Sequence, residues 1–247
     1  MMAQGNEPRS STEAIRLLAN RLIAALRGWV CIFALGLFLS AISTAHGMPL
    51  RLGGVEVPEG KFMRDAAGQV ISLNLSGMGL RDERFLDYLR PHIHTIQALN
   101  LSDNKFSRLD LSPLSNAINL FSIDLSNNNL REINLSPLEG LPRLSLVVLA
   151  SNRMESISLS PLAKCPQLRI LQLQNNQLGS IDIAPLAECP DLRTLWLYGN
   201  QLTDFCVETM KNIESLRELR IYDNKLSDRC ITELERLKSL EEIDILL

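Results

Sequence analysis

Six asparagines recur every 24 residues, and this period constrains the fold more than any other feature of the chain. They are Asn104, Asn128, Asn152, Asn176, Asn200 and Asn224. Each follows the same alternation of leucines or other apolar residues, as in LQLQNN at Leu171–Asn176. An earlier copy at Val70–Leu80 has Met78 in place of the asparagine. A constant period of this length predicts a stack of similar coils, each too small to bury its apolar face alone.

The alternation within each copy predicts a strand with two different faces. Successive side chains of a strand point to opposite sides, so the leucines would face a shared core and the residues between them would project from a parallel sheet. The asparagine comes where the chain bends after the strand. Because a side-chain amide both donates and accepts hydrogen bonds, we expect it to satisfy backbone groups of its own coil and the next one.

This pattern resembles the consensus of the leucine-rich repeat family over about residues 70–247. The resemblance implies an α/β solenoid of about eight coils. Its chain would follow a curved, right-handed path with a parallel β-sheet on the concave face.

The other half of each coil also repeats. Four copies carry a proline there, which excludes the interior of an α-helix and indicates a tight, extended or turn-like convex side. The prolines are Pro113, Pro137, Pro161 and Pro185. The next two copies lack the proline and look like the helical repeats of ribonuclease-inhibitor-type proteins. We expect one helix to begin after Asp204 and another after Asp228, with these two aspartates as the helix N-caps.

The first 45 residues differ from the rest of the chain. Four arginines precede the apolar run Trp29–Ala45, which is typical of a secretory signal peptide cleaved after Ala45. An uncleaved signal anchor is the alternative, with the arginines on the cytoplasmic side. Either reading places residues 46–247 in a secreted or extracytoplasmic location. Residues 46–69 are expected to cap the repeat domain at 70–247, with a hairpin through Val55–Phe62.

Composition and motifs exclude several functions. The formal net charge of -3 gives no reason to expect nucleic acid or an anionic membrane surface as a partner, so membrane contact is expected only through an uncleaved N-terminal segment. His92 and His94 have no further ligands at a metal-binding spacing. No phosphate loop, nucleophile elbow or paired-carboxylate pattern occurs. We therefore predict that the protein is not an enzyme and carries no metal or cofactor.

Cysteines occupy equivalent positions in neighbouring coils. Cys165 and Cys189 fall in an apolar slot and are expected to be buried thiols. Cys206 and Cys230 share a slot near the two helix starts. An exported protein could form a disulfide there, but packed helices usually lie farther apart than a disulfide allows. The sequence leaves this pair open.

The residues between the inward leucines predict a binding surface on the sheet. The first three coils present small polar groups, the middle coils apolar ones, and the late coils three of the chain's five Trp and Tyr residues. Because Trp, Tyr and Arg dominate binding hot spots, we predict non-covalent recognition of a macromolecule, a protein above all, with Arg220 supplying a directed charge. The predicted contact residues are Leu146, Val148, Ile170, Gln172, Gln174, Thr194, Trp196, Tyr198, Arg220 and Tyr222.

Two other interpretations of this surface stay open. The aromatic side chains could serve only to stabilise adjacent strands. Alternatively, the last coils could pair with a second copy of the chain, as in a self-associating envelope or scaffold protein. The last copy is partial; its alignment on Ile243 and Ile245 predicts Asp244 beside Arg220, and Leu246 beside Tyr222.

Overall fold

The structure is a computed structural model that describes residues 49–205, 207–238 and 243–247. The predicted signal segment at residues 1–45 lies outside these ranges, and so does Cys206. No helix within the described ranges is both long and apolar enough to cross a bilayer.

Strands that recur once per coil build one sheet of nine strands. Eight of them run parallel, and each pairs with its neighbour in the sequence, which confirms the predicted solenoid of about eight coils. Strand β3 at Phe62–Arg64 pairs antiparallel to β4 at Val70–Asn74. The parallel strands are β4 Val70–Asn74, β5 Ala98–Asn100, β6 Ser122–Asp124, β7 Leu146–Val148, β8 Ile170–Gln172, β9 Thr194–Trp196, β10 Glu218–Arg220 and β11 Asp244–Leu246.

The register keeps equivalent residues side by side until the last coil. Leu195 pairs with Leu219, but Leu219 pairs with Ile245 and not with Ile243. The alignment that placed Asp244 beside Arg220 is therefore wrong by two residues, since Asp244 lies beside Glu218 and Leu246 beside Arg220. This coil carries an 11-residue helix, and Ile245 is the residue of its strand that is buried in the core.

The convex side of the coils carries short 3₁₀ helices in which proline is the second residue. This confirms the tight, turn-like side predicted from the prolines. Proline fits the first turn of a helix because the backbone N–H that it lacks would have no intrahelical partner there. They span Ser112–Asn116, Ser136–Leu138, Ser160–Lys164 and Ala184–Glu188. The long first coil has a 3₁₀ helix at Phe85–His92.

Two α-helices replace the proline turns in the last coils. They are α1 at Val207–Met210 and α2 at Asp228–Lys238. The cap of α2 is Ser227 and not Asp228, because the Cys230 N–H donates to Ser227 Oγ at 3.4 Å and Asp228 is already helical. The likeness of these coils to ribonuclease-inhibitor-type repeats stays a prediction.

The N-terminal segment pairs differently from the expected hairpin through Val55–Phe62. Strand β1 at Leu50–Leu52 pairs antiparallel with β2 at Val55–Val57, while β3 joins the large sheet. The turn between β1 and β2 is Gly53-Gly54, with φ of 57° and 79°. Two adjacent residues at positive φ favour a tight two-residue hairpin, so the hairpin forms one strand earlier than predicted.

The recurring asparagines form a continuous ladder inside the bend of each coil. Asn152 Nδ2 donates to Leu149 O at 3.1 Å in its own coil and to Leu125 O at 3.0 Å in the preceding one. Its Oδ1 accepts the Leu130 N–H at 3.0 Å. The expected internal role is confirmed, with the difference that the amide reaches back to the preceding coil. The same bonds recur at Asn128, Asn176, Asn200 and Asn224.

The residue before each ladder asparagine adopts a left-handed backbone, which produces the bend after the strand. Gly199 has φ 67°, and a Cβ there would clash with Asn175 Oδ1. At the other positions the residues are mostly Asp or Asn, which tolerate this conformation better than other side chains. They are Asp103, Asn127, Ser151, Asn175 and Asp223.

The cysteines of the apolar slot are buried thiols, as predicted. The Sγ of Cys165 donates to Leu138 O at 3.2 Å and that of Cys189 to Leu162 O at 3.3 Å, each in the preceding coil. Burial raises the pKa of Cys189 to about 12, so the thiol stays protonated and is a poor nucleophile. Cys230 is also a free, buried thiol, while Cys206 lies outside the described residues.

Candidate functional site

The outer face of the sheet is distinct from the core behind it. Leu195 and Leu197 are fully buried. Trp196 and Tyr198, which alternate with them along the chain, are half-buried on the opposite face of the sheet. The same alternation holds along β10, where Leu219 is buried and Arg220 is half-buried. All ten predicted contact residues belong to these outer columns, but their exposure differs widely from coil to coil.

Three aromatic side chains, Trp196, Tyr198 and Tyr222, meet on the late coils and are called the aromatic cluster below. Tyr198 and Tyr222 stack with their ring centroids 4.5 Å apart and their planes 8° apart. Trp196 lies against Tyr198 at 6.3 Å and 47°. Stacked and tilted pairs of this kind are favourable by about 0.5–1.5 kcal/mol each, so the cluster is held in place before any partner arrives.

Arg220 and Glu218 hold the position of Trp196. The Arg220 guanidinium lies over the indole ring, 4.4 Å from its centroid. Trp196 Nε1 donates to Glu218 Oε1 at 3.2 Å. Arg220 Nε lies 2.6 Å from the same oxygen, a close ion pair although the N–H is not aligned for a hydrogen bond. The charge of Arg220 is therefore engaged within the chain.

Glu218 was absent from the predicted contact residues. The sequence does hold a signal for it, because it occupies the outer face of β10 two residues before Arg220 and carries the opposite charge. Residues i and i+2 of a strand share a face, which allows such a pair to close. These two charges offset each other, while the exposed Asp244 beside Glu218 adds a negative charge at the last strand.

An apolar cluster occupies the same face in the middle coils. It consists of Leu146, Val148 and Ala150, with Ile170 packed against them, and it is separate from the main core. Leu146 and Val148 are only 4% and 8% exposed, although both were expected to project into solvent. Strands of a sheet lie about 4.8 Å apart, so large side chains in neighbouring coils cover one another.

Gln172 and Gln174 separate the apolar cluster from the aromatic cluster. In the register, Gln172 lies between Val148 and Trp196. Both glutamines are buried, at 4% and 7% exposure, in contrast to the exposed polar contacts expected from the sequence. Gln172 Nε2 and Gln174 Oε1 have no hydrogen-bond partner among the described residues. Thr194, beside Ile170 in the register, is half-buried.

The hydroxyl of Tyr198 completes this arrangement. The side chains of Gln174 and Tyr222 lie next to it. Burial, and after it the neighbouring Tyr222, raises the pKa of Tyr198 above its ordinary value. The hydroxyl is therefore neutral in the physiological range and serves as a donor or acceptor.

Asp124 is a charged residue on the polar coils of this face. Its Oδ1 accepts hydrogen bonds from Ser126 N at 2.9 Å and from Ser126 Oγ at 2.6 Å. Burial is the largest cause of its shift and raises the pKa of the carboxyl, outweighing these two bonds. The folded protein therefore holds this proton more tightly than the unfolded chain does.

The Asp124→Asn variant is expected to melt about 2 °C higher than the wild type at pH 7. A carboxyl with a raised pKa lowers stability as pH rises from the unfolded pKa through the folded one. The amide removes this loss. Melting followed by circular dichroism at pH 7 and pH 3 tests it, because the advantage should shrink at pH 3. An equal gain at both values would show that the charge is not responsible.

The two histidines lie away from the concave face clusters. His92 is half-buried, and its pKa is lowered by burial and by the charge of Arg64. The backbone carbonyl of His94 accepts a hydrogen bond from Asn119 Nδ2 at 2.6 Å. In the part of the chain that the structure describes, no three His, Cys, Asp or Glu side chains gather as metal ligands would.

Comparison with known proteins identifies the repeat. Family models described as leucine rich repeat and as leucine rich repeats (2 copies) match residues 118–178 and 166–212. An internalin from Listeria monocytogenes is 25% identical with a TM-score of 0.56, covering 71% of this chain and 46% of the internalin chain. A leucine-rich repeat protein from Leptospira interrogans shares the fold at 21% identity and a TM-score of 0.56, covering 70% of this chain and 53% of that one.

The chain thus spans about half the length of both solved structures. A comparison with curated proteins gave no significant match. The repeated strands, the asparagine ladder and the matching family models agree with one another. The chain is a leucine-rich repeat protein.

Proposed function

We propose that the protein is an exported, non-enzymatic binding protein that recognises another protein through the concave face of its sheet. The leucine-rich repeat family and the internalin-like neighbour favour a role in protein–protein interaction. The observation that carries the proposal is the half-buried aromatic cluster beside the apolar cluster, on the face that the core does not use.

Folding alone gives little reason for such a surface. The main core lies behind the sheet, where residues such as Leu171, Leu195 and Leu219 are fully buried. The equivalent outer positions of the first coils hold small polar residues such as Ser72 and Ser122, and those coils form the same strands. Large aromatic residues that are fixed but still accessible are typical of interface hot spots.

Within this surface the residues have different roles. Trp196 and Tyr222 act as anchors, because their rings are held in place and remain partly exposed. Arg220 acts mainly by fixing Trp196, since its charge is paired with Glu218. This changes the role first assigned to Arg220, from a charge offered to the partner to a support for an anchor.

The location outside the cytoplasm rests on the sequence of residues 1–45. Arginines followed by a short apolar run and small residues favour export, with cleavage after Ala45 or retention as an anchor. N-terminal sequencing of the protein from its native host distinguishes the two forms.

The double variant Trp196→Ala/Tyr222→Ala is expected to fold normally and to weaken partner binding roughly 30-fold or more. Proteins cross-linked to the wild-type chain are identified by mass spectrometry, and the affinity of a recovered partner is then measured for each variant. The matched control is Tyr88→Ala/Phe121→Ala, which removes two aromatic residues that are each 44% exposed and lie outside the cluster.

The control variant should bind like the wild type. Equal affinity of the cluster variant, with its circular dichroism spectrum unchanged, would refute the proposed surface. Self-association is the second candidate, favoured by the exposed Leu246 on β11. Light scattering that finds a dimer in the wild type and a monomer in the cluster variant would assign the surface to a second copy of the chain.

A further inference from the structure

We propose that Gln172 and Gln174 recognise a peptide group in an uncharged, apolar segment of the partner protein. This inference rests on the proposed function and specifies what the concave face binds. It concerns the strip between the apolar cluster and the aromatic cluster, where the two glutamines of β8 lie.

The first observation is that both side chains are more than nine-tenths buried and incompletely bonded. Gln172 Nε2 has no acceptor and Gln174 Oε1 has no donor among the described residues. A buried polar atom without a partner is unfavourable, and most buried polar atoms in proteins are paired. In contrast, the ladder asparagine of the same coil, Asn176, is fully bonded within the chain.

The second observation is that the two unpaired atoms are a donor and an acceptor. A peptide group has the opposite pair, a carbonyl oxygen for Gln172 Nε2 and an N–H for Gln174 Oε1. In the free protein both atoms are covered by neighbouring side chains. Glutamine side chains are long and flexible, so rotation of the amides toward an arriving segment brings the two atoms to the surface.

The surroundings define the rest of the segment. On one side, Leu146, Val148 and Ile170 offer only apolar contacts. On the other side the charges of Arg220 and Glu218 neutralise each other. The described neighbours of Gln172 in the register, Val148 and Trp196, carry no charge, so a charged side chain placed there would lose its hydration without forming an ion pair. Asp124 lies one coil further away, beside Val148. An extended, uncharged segment with apolar side chains fits both sides.

The geometry favours a peptide over a glycan. Sugars are commonly held against open aromatic faces, but here one face of Trp196 is covered by the Arg220 guanidinium. Tyr198 and Tyr222 turn one face each toward the other. The apolar cluster also offers no polar atoms for sugar hydroxyl groups, which need hydrogen-bond partners when they are buried.

The test uses the full-length protein and a displayed library of random peptides about 12 residues long. Enriched sequences are made as synthetic peptides, and their Kd is measured for the wild type and for Gln172→Leu/Gln174→Leu. The matched control is Gln167→Leu/Gln177→Leu, which changes two exposed glutamines of the neighbouring turns. Leucine keeps the approximate size of the side chain and removes the amide.

We expect uncharged, apolar sequences whose binding weakens roughly tenfold in the Gln172/Gln174 variant and less than about twofold in the control. Raising the salt concentration from about 50 mM to about 500 mM should change the Kd by less than about twofold. The variant should also melt a few degrees higher, about 3 °C, because the unpaired buried atom of each amide is gone. A purely structural role of the amides would lower the melting temperature instead.

Enrichment of charged, salt-sensitive sequences would overturn the inference, and so would unchanged affinity in the glutamine variant. No enrichment on the wild type above Trp196→Ala/Tyr222→Ala, or binding of a glycan array in place of peptides, would also overturn it. This experiment also distinguishes failure of the glutamine proposal from failure of the proposed binding face. If the aromatic variant loses captured proteins while the glutamine variant keeps them, the binding face stands and the peptide-reading role of the glutamines falls.

Discussion

Replacing Asn152 with alanine is expected to lower the free energy of unfolding by roughly 3 kcal/mol. The side chain makes bonds to Leu125 O, Leu149 O, Ala150 O and the Leu130 N–H, all inside the bend of a coil. Alanine removes these bonds and leaves buried backbone groups that water cannot reach. Urea unfolding followed by circular dichroism measures the loss.

The matched control for this substitution is the adjacent Arg153→Ala. Arg153 is exposed, and its contact with the ladder is the backbone bond from its N–H to Leu130 O, which alanine keeps. We expect a change within about 0.5 kcal/mol. A loss for Asn152→Ala that is no greater than that of the control would mean that the ladder does not stabilise the coils.

The second large effect is expected from two adjacent residues on opposite faces of β8. Leu171→Ala should cost roughly 3 kcal/mol, because Leu171 is fully buried in the main core. Ile170→Ala should cost less than about 1 kcal/mol, because Ile170 is half-buried on the outer face beside the apolar cluster. The same urea experiment compares the two variants. Similar losses would contradict the separation of core and outer face on which the binding surface depends.

The period of the sequence was sufficient to predict the sheet. Once equivalent residues are stacked in parallel register, positions such as Tyr198 and Tyr222 come close together because each coil repeats the one before it. The asparagine ladder was predictable for the same reason, since one amide must meet the same backbone groups in every coil. Both predictions follow from repetition and need no knowledge of individual side-chain packing.

The last coil could not be predicted in this way. Its helix α2 departs from the 3₁₀ turns of the earlier coils, and the number of residues that a helix adds is not fixed by the positions of the leucines. Ile243 and Ile245 both suit an apolar position, so the sequence alone does not say which one pairs with Leu219. The structure places Ile245 there because it completes the core.

Exposure on the outer face was the other property that the sequence did not reveal. The alternation assigns Val148 and Gln172 to that face, but it does not say whether neighbours in adjacent coils cover them. Their burial depends on the size of the side chains on each side, and the partnership of Glu218 with Trp196 depends on side-chain conformation. These are properties of packing between coils, which a pattern along one coil does not contain.

The asparagine ladder also has a consequence for how such a protein can change in evolution. In each interior coil, a backbone carbonyl accepts a hydrogen bond from the ladder asparagine of the following coil. Because this bond is the same at every junction between coils, the junctions are interchangeable. Duplication or deletion of one whole 24-residue unit would therefore restore an intact junction on both sides. The number of strands in the sheet and the side chains on its outer face can thus vary by whole units, while the hydrogen bonds between coils remain the same.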